Sequence, residues 1–316
     1  MSYTYFNQRT VLNEVKCEGV GLHSGNRVTM RLKPAAPDFG IQFRRMDVCD
    51  RPTIPAVHKR VVDTFLATSI GFDGVVVATI EHLMAALMGR GVDNVLIELD
   101  GPEVPIFDGS AAHYLRVLNE AGIREQNAPR QHLRIDRNVL VMDGDAYIKA
   151  TPSDIFRIRY TIDFPHPLVG RQELTWSFSE NAFDCEISRA RTFGFLKDVE
   201  KLQSMGLARG GSLANAVVFD ERSVLNQEGF RYANECVRHK ILDFIGDLAL
   251  AGMPPQGSFE VYKAGHALHN RFLKKLLADS KACSAATLHP ACVPLYPVPA
   301  AAGYAGAFTA ISKPLQ

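Results

Sequence analysis

The sequence predicts an α+β protein built from two similar two-layer α/β sandwiches, each a sheet covered by a pair of helices. Three observations carry this expectation. The chain has 316 residues, enough for two units with cores of their own. Its two halves run through the same order of elements: several strands, then helix, strand and helix. Between them Asn127-Ala128-Pro129 breaks the periodic pattern and reads as a linker. The expected divisions are 1–127, 128–280 and a tail, 281–316, which is rich in Ala and Pro and reads as irregular. The likeness between the halves lies in element order and not in residue identity.

In the first half, residues 28–32 alternate apolar and polar side chains as a half-buried strand does, and residues 40–44 do so in part. Residues 74–78 form a β-branched run. Residues 79–88 read as a helix, because Ile80, Leu83, Met84 and Leu87 make one apolar stripe and Gly89 and Gly91 offer stops. A strand over 92–99 follows. Ser110 is then expected to cap a second helix reaching Ala121, with Gly122 beyond its end. In the second half, strands are expected at 138–142, 146–150, 155–162 and 172–178. A helix from about Tyr232 to Ala251 has Val237, Ile241, Phe244, Ile245 and Leu248 near helical period. Residues 257–263 read as a strand, and Gly265 opens a last helix through Leu273, Leu276 and Leu277.

Composition excludes several classes. With 35 basic and 34 acidic residues the net charge is +1, which gives no general pull toward nucleic acid or an anionic membrane. The six cysteines include no CxxC pair, so they read as reduced thiols and not as a disulfide framework or a cysteine metal site. Residues 1–7 lack a basic segment followed by an apolar one, and no apolar run reaches membrane-spanning length. A soluble cytoplasmic monomer with no nucleic-acid partner and no integral membrane segment is expected.

The chemistry gathers on the 232–251 helix. His239 and Asp243 are four residues apart and share one face; Asp247 continues the row and Lys240 stands beside it. Such a row is costly to bury unless its members are paired or hold a metal, and a solvated His–Asp pair is the plainer alternative. The first-half helix carries Glu81-His82 at the matching point. If the two helices meet across the interface, His82, His239 and Asp243 supply two imidazoles and a carboxylate and leave one coordination position open. Taken alone, His82 also reads as a satisfied histidine and Glu81 as a solvated helix residue. In Lys263-Ala264-Gly265-His266-Ala267-Leu268-His269, His266 falls at a strand-to-helix junction, where it is either a proton donor or a plain helix-entry residue. Ser188-Arg189-Ala190-Arg191-Thr192-Phe193-Gly194 reads as a strand end with solvated arginines. Gly210-Gly211-Ser212 is too short for a phosphate loop, and no GxGxxG or Walker pattern occurs.

Six motifs stand in a telling order: Gly19-Val20-Gly21-Leu22-His23-Ser24-Gly25, Thr79-Ile80-Glu81-His82-Leu83, Pro105-Ile106-Phe107-Asp108-Gly109-Ser110-Ala111, Ala190-Arg191-Thr192-Phe193-Gly194-Phe195, Val237-Arg238-His239-Lys240-Ile241-Leu242-Asp243 and Gly265-His266-Ala267-Leu268. Each alone is weak; together, over about residues 8 to 275, they resemble the zinc-dependent UDP-3-O-acyl-N-acetylglucosamine deacetylases of lipid A biosynthesis. The resemblance implies one Zn2+ per chain on His82, His239 and Asp243, with Glu81 as general base and His266 as general acid. It implies that Thr192 steadies the substrate carbonyl oxygen, that Asp247 orients His266, that Lys240 shares the pocket, and that Phe193 packs on the sugar. Lys263 is placed with the substrate-binding residues. The fold implied is two similar α/β sandwiches with the site between them and a small insert in each, in a Gram-negative-type bacterium. Within the second insert, Leu196, Val199, Leu202 and Met205 recur every three residues between strand-like 191–195 and 216–219. They read either as a helix completing the core or as a flap along a passage for the acyl chain, with Leu202 and Met205 as its test residues. Two readings compete: another two-histidine, one-carboxylate metalloenzyme such as a non-haem iron oxygenase, and a non-enzymatic nucleotide- or RNA-binding module. The separate Glu81 and His266 favour hydrolysis over the first. The balanced charge argues against the second.

Overall fold

The computed structural model describes residues 5–287. Two five-stranded sheets share one topology. The first runs, in spatial order, Val15–Val20, Arg27–Pro34, Val95–Leu99, Ile41–Arg45 and Thr53–Pro55; the second runs Val139–Asp143, Ala146–Thr151, Ser258–Tyr262, Arg157–Phe164 and Gly170–Ser177. In each, the central strand, Val95–Leu99 or Ser258–Tyr262, is antiparallel to one neighbour and parallel to the other. The repeat of element order thus extends to strand pairing. Alternation explains the strands locally: in Arg27–Pro34, Val28, Met30 and Leu32 point into the core while their neighbours face outward.

The helices are α1 (Glu81–Gly89), α2 (Ala112–Ala121), α3 (Glu180–Ala182), α4 (Leu196–Ser204), α5 (Glu235–Leu248) and α6 (His266–Ala278). α6 covers Val139–Asp143 and Ala146–Thr151, α5 covers Arg157–Phe164 and Gly170–Ser177, and α1 packs against α2 and, most extensively, against α5. Every residue of α1 is buried, because the helix lies between its own unit and α5. Leu83, Met84 and Leu87 are fully inaccessible; burial of such a side chain contributes roughly 1.5–3 kcal/mol. The α1–α5 approach requires Gly246, since a Cβ there would lie 1.9 Å from the Glu81 carbonyl oxygen. Each unit carries an insert. The first is a three-stranded sheet of Val61–Asp63, Ser69–Phe72 and Val75–Val77; the second pairs Phe193–Phe195 in parallel with Val217–Phe219 and holds α4 between them.

In the fold, the structure departs from the sequence expectation at several places. Residues 127–129 are no free linker: they complete the strand Ile123–Pro129, which pairs with Asn7–Val11. The start of the tail is not irregular, since Cys283–Thr287 pairs antiparallel with Gln131–Ile135; the rest of that expectation, 288–316, lies outside the described residues. α2 begins at Ala112, and Ser110 holds its entry one residue early, its Oγ accepting from the Ala112 N–H at 3.2 Å and donating to Asp108. Arg191 is no solvated strand-end arginine, being 1% exposed. No helix among the described residues is long and apolar enough to cross a membrane.

Candidate active site

α1 and α5 bring the sequence-predicted residues together. α1 enters on Thr79, whose φ of +60° is strained for a β-branched residue. Thr79 Oγ1 donates to Glu103 at 2.8 Å, and the same carboxylate accepts the backbone N–H groups of His23 and Ser24. The first motif loop is thereby tied to the start of α1, two residues before Glu81. On α5, His239 and Asp243 lie one turn apart as their spacing requires. The His82 and His239 rings stand edge to face, 4.9 Å between centroids.

Both imidazole Nε2 atoms converge on Asp243 Oδ1, His239 at 3.2 Å and His82 at 3.4 Å. All three side chains are at most 3% exposed, and Asp243 Oδ1 has no hydrogen-bond partner. His239 Nδ1 donates to the Ala190 carbonyl at 3.1 Å, so its Nε2 keeps a lone pair aimed at the carboxylate. Two lone pairs facing each other in a buried site are resolved by a cation between them, and this donor set fits a metal. A second buried group, Asp247 with His266 and His269, also lies close enough together to hold an ion. There each Nδ1 already donates to Asp247 Oδ2 at 2.7 Å, which leaves those atoms no free lone pair for a metal.

Around the donor cluster the charges are ordered by their partners. Burial raises the Glu81 carboxyl above its ordinary range, against the pull of His266 and His82. Its Oε2 accepts the Thr68 N–H at 3.0 Å. Burial also works against ionised Asp247, but the facing His266 and the hydrogen bonds from both histidines outweigh it and hold the group at about 2. Burial alone would depress His266, yet Asp247 pushes it up to about 9. His239 is held down to about 3 by burial, which keeps the imidazole neutral. Lys240 Nζ donates to Asp243 Oδ2 at 2.8 Å and lies 5.6 Å from the Phe193 ring centre.

The cleft over the cluster, about 400 Å³, is lined by Thr192, Phe193, Lys240, Lys263 and His266 together with the three donors. Glu81 and Asp247 stand behind this lining, both 3% exposed. Lys263 reaches the cleft from the strand end, its Nζ donating to Asp145 at 2.7 Å. An apolar cavity of about 370 Å³ shares Leu66, Thr192 and Phe193 with the cleft and is lined further by Leu196, Val199 and Leu202. Among the described residues, no side chain of α4 belongs to the hydrophobic core. Met205, expected beside Leu202, is absent from the cavity lining and 54% exposed. At about 100° per residue, a three-residue spacing drifts around the helix, and over nine residues Met205 turns half a revolution from Leu196.

Two contributors escape sequence reasoning. Thr68 sits in Ala67-Thr68-Ser69, which has no pattern of its own, yet its Oγ1 donates to Asp247 at 2.5 Å while its N–H meets Glu81. Arg191 binds Glu235 and Glu228 and the Gly229 carbonyl, and so fixes the segment that presents both the Ala190 carbonyl and Thr192. The signal for Arg191 was present in the acidic residues at 228 and 235, but only the fold brings them near.

A two-imidazole, one-carboxylate cluster beside a buried carboxylate and a carboxylate-paired imidazole defines the class, a metal enzyme whose site lies between two units of like topology. The comparisons with known proteins agree. Residues 8–278 match the family LpxC, UDP-3-O-acyl N-acetylglycosamine deacetylase. A UDP-3-O-acyl-N-acetylglucosamine deacetylase of Myxococcus xanthus (strain DK1622) is 55% identical over 274 residues, 87% of this chain and 87% of its own. Proteins of the same name from Anaeromyxobacter sp. (strain Fw109-5) and Pasteurella multocida (strain Pm70) are each 50% identical, over 87% of this chain and 90% and 91% of theirs. The chain belongs to this deacetylase family.

Proposed function

We propose that this chain is a zinc-dependent amide hydrolase that removes acetate from UDP-3-O-[(3R)-3-hydroxyacyl]-N-acetylglucosamine in the cytoplasm, the committed step of lipid A biosynthesis. The observation that carries the reading is the meeting of α1 and α5, which sets His82, His239 and Asp243 around one point with Glu81 behind it and His266 beside it. Family membership names the substrate class. His82, His239 and Asp243 hold one zinc ion per chain. When bound, the ion supplies Lewis acidity that makes water a usable nucleophile near neutral pH and polarises the amide carbonyl.

The chain's own residues do the rest. Glu81, its carboxyl raised by burial, takes a proton from the attacking water. Thr192 donates its hydroxyl to the carbonyl oxygen as that oxygen gains charge, and Lys240 adds a positive charge at the same mouth. His266, cationic at neutral pH through Asp247, gives its proton to the nitrogen as the C–N bond breaks. Water is consumed; acetate and a free glucosamine amine leave. Phe193 packs on the sugar, and Lys263 binds substrate at the cleft edge. The apolar cavity, with Leu202 in its wall, takes the acyl chain; Met205 stands outside that wall.

The test is a product assay. Purified protein given the acylated UDP-sugar releases acetate and yields a primary amine in equal amounts. An unchanged substrate, or an oxidised product, would remove the reading in favour of another reaction.

A further inference from the structure

Resting on the reading above, we infer that His269 is a positioning residue for the acid: it aims the Asp247 carboxylate at His266. Among the described residues, Asp247 is the hub of a buried hydrogen-bond chain that joins three elements. Its Oδ2 receives both the His266 Nδ1–H and the His269 Nδ1–H at 2.7 Å, and its Oδ1 receives Thr68 Oγ1 at 2.5 Å. A carboxylate rotates easily about its terminal torsion. Here donors grip it at both oxygens, and His269 is the only one of the three that reaches neither the cleft nor the base. It is 1% exposed, against 8% for His266, and does not line the cleft.

The packing around His269 fits a fixed strut. It follows His266 by three residues in the first turn of α6, so the two rings share one helix face, with centroids 5.8 Å apart and planes at 77°. Its ring lies 4.9 Å from Phe244 at a steep angle. Its Nε2 is 3.3 Å from Tyr160 Oη, and that hydroxyl donates to the Ala264 carbonyl at 2.8 Å, two residues before His266. Nδ1 is thus anchored to the carboxylate that holds the acid, while the Nε2 edge packs beside the Tyr160 hydroxyl, which is itself tied to the turn that presents His266. A loosened carboxylate would leave the His266 ring free to tilt, and the proton it carries would meet the leaving nitrogen less often.

The two amide side chains separate this role from simple packing. In His269→Asn the amide N–H takes the place of Nδ1 and still reaches Asp247 Oδ2. In His269→Gln it takes the place of Nε2 and reaches Tyr160 instead. Both are polar, and the melting temperature of each variant checks that the fold is kept. Acetate release is measured for the zinc-loaded wild type, for each variant, and for each in a His266→Ala background. The wild-type rate tests the deacetylase reading, whereas the ratios between variants test His269. We expect His269→Gln to lower kcat roughly ten- to a hundred-fold, the usual effect of removing a supporting hydrogen bond, with KM and the melting temperature held. His269→Asn should retain most of kcat. In the His266→Ala background His269→Gln should have no further effect, because the residue acts through the acid. Wild-type kcat in His269→Gln, or an equal loss with and without His266, would overturn the assignment.

Discussion

In the proposed mechanism a single pair of residues, Asp247 and His266, decides when the acid is loaded. With Asp247 in place, the His266 imidazole holds its proton up to about pH 9; Glu81 loses its own only above the ordinary carboxylate range. The account therefore predicts a bell-shaped kcat/KM profile. In Asp247→Asn the largest upward influence is lost and only Glu81 and Asp243 remain to oppose burial, so the alkaline limb should move to lower pH; an unmoved limb would separate Asp247 from the acid. The same shift bears on stability. A group raised from 6.5 to about 9 on folding stabilises fully below pH 6.5 and loses that contribution as pH rises through 9. Melting temperature should therefore fall across that window more in the wild type than in His266→Ala. That variant should also keep its metal yet lose roughly two to four decades of kcat. The residues legible in the sequence were those whose geometry is local: His239 and Asp243 by helical spacing, Glu81 and His82 by adjacency on a periodic stripe. Thr68, His269 and Arg191 were not, because their partners come from other elements, up to 179 residues away in the case of Thr68 and Asp247.

Elements set the distances that residues cannot. α1 and α5 approach closely because Gly246 has no side chain to push against the Glu81 backbone. Gly246→Ala should separate the helices, destabilise the protein by about 1–3 kcal/mol as overpacking does, and weaken metal binding by parting His82 from His239 and Asp243. A wild-type melting temperature with wild-type zinc affinity would contradict this. α4 makes a different prediction. In the proposed acyl passage each methylene buried against it would contribute about 0.8 kcal/mol, and ~1.4 kcal/mol is tenfold in rate. Leu202→Glu should then cut kcat/KM by orders of magnitude on a long-chain substrate and hardly at all on UDP-N-acetylglucosamine. Equal losses on both would make α4 a structural helix. The long elements were legible because their apolar periods are strong. The strands Ile123–Pro129 and Cys283–Thr287 were not: one contains a proline and little alternation, the other is small and polar, and both exist through pairing with distant partners. Met205 was misplaced for a related reason, since a period of three follows a real helix for only two turns.

On the scale of the whole molecule, two units of identical sheet order meet through α1 and α5, and the cluster forms where those helices touch. The order of elements foretold the two units; which strands neighbour one another, and how the inserts border the apolar cavity, became visible only in three dimensions. The central claim is that this junction builds one metal site and that the site performs the hydrolysis. Its most direct test strips the protein with a chelator and measures acetate release from the acylated UDP-sugar as zinc is returned in known amounts. The account predicts negligible release without metal and a linear rise that levels off at one ion per chain. Full activity in the stripped protein, or a rise that continues to two ions per chain, would contradict it.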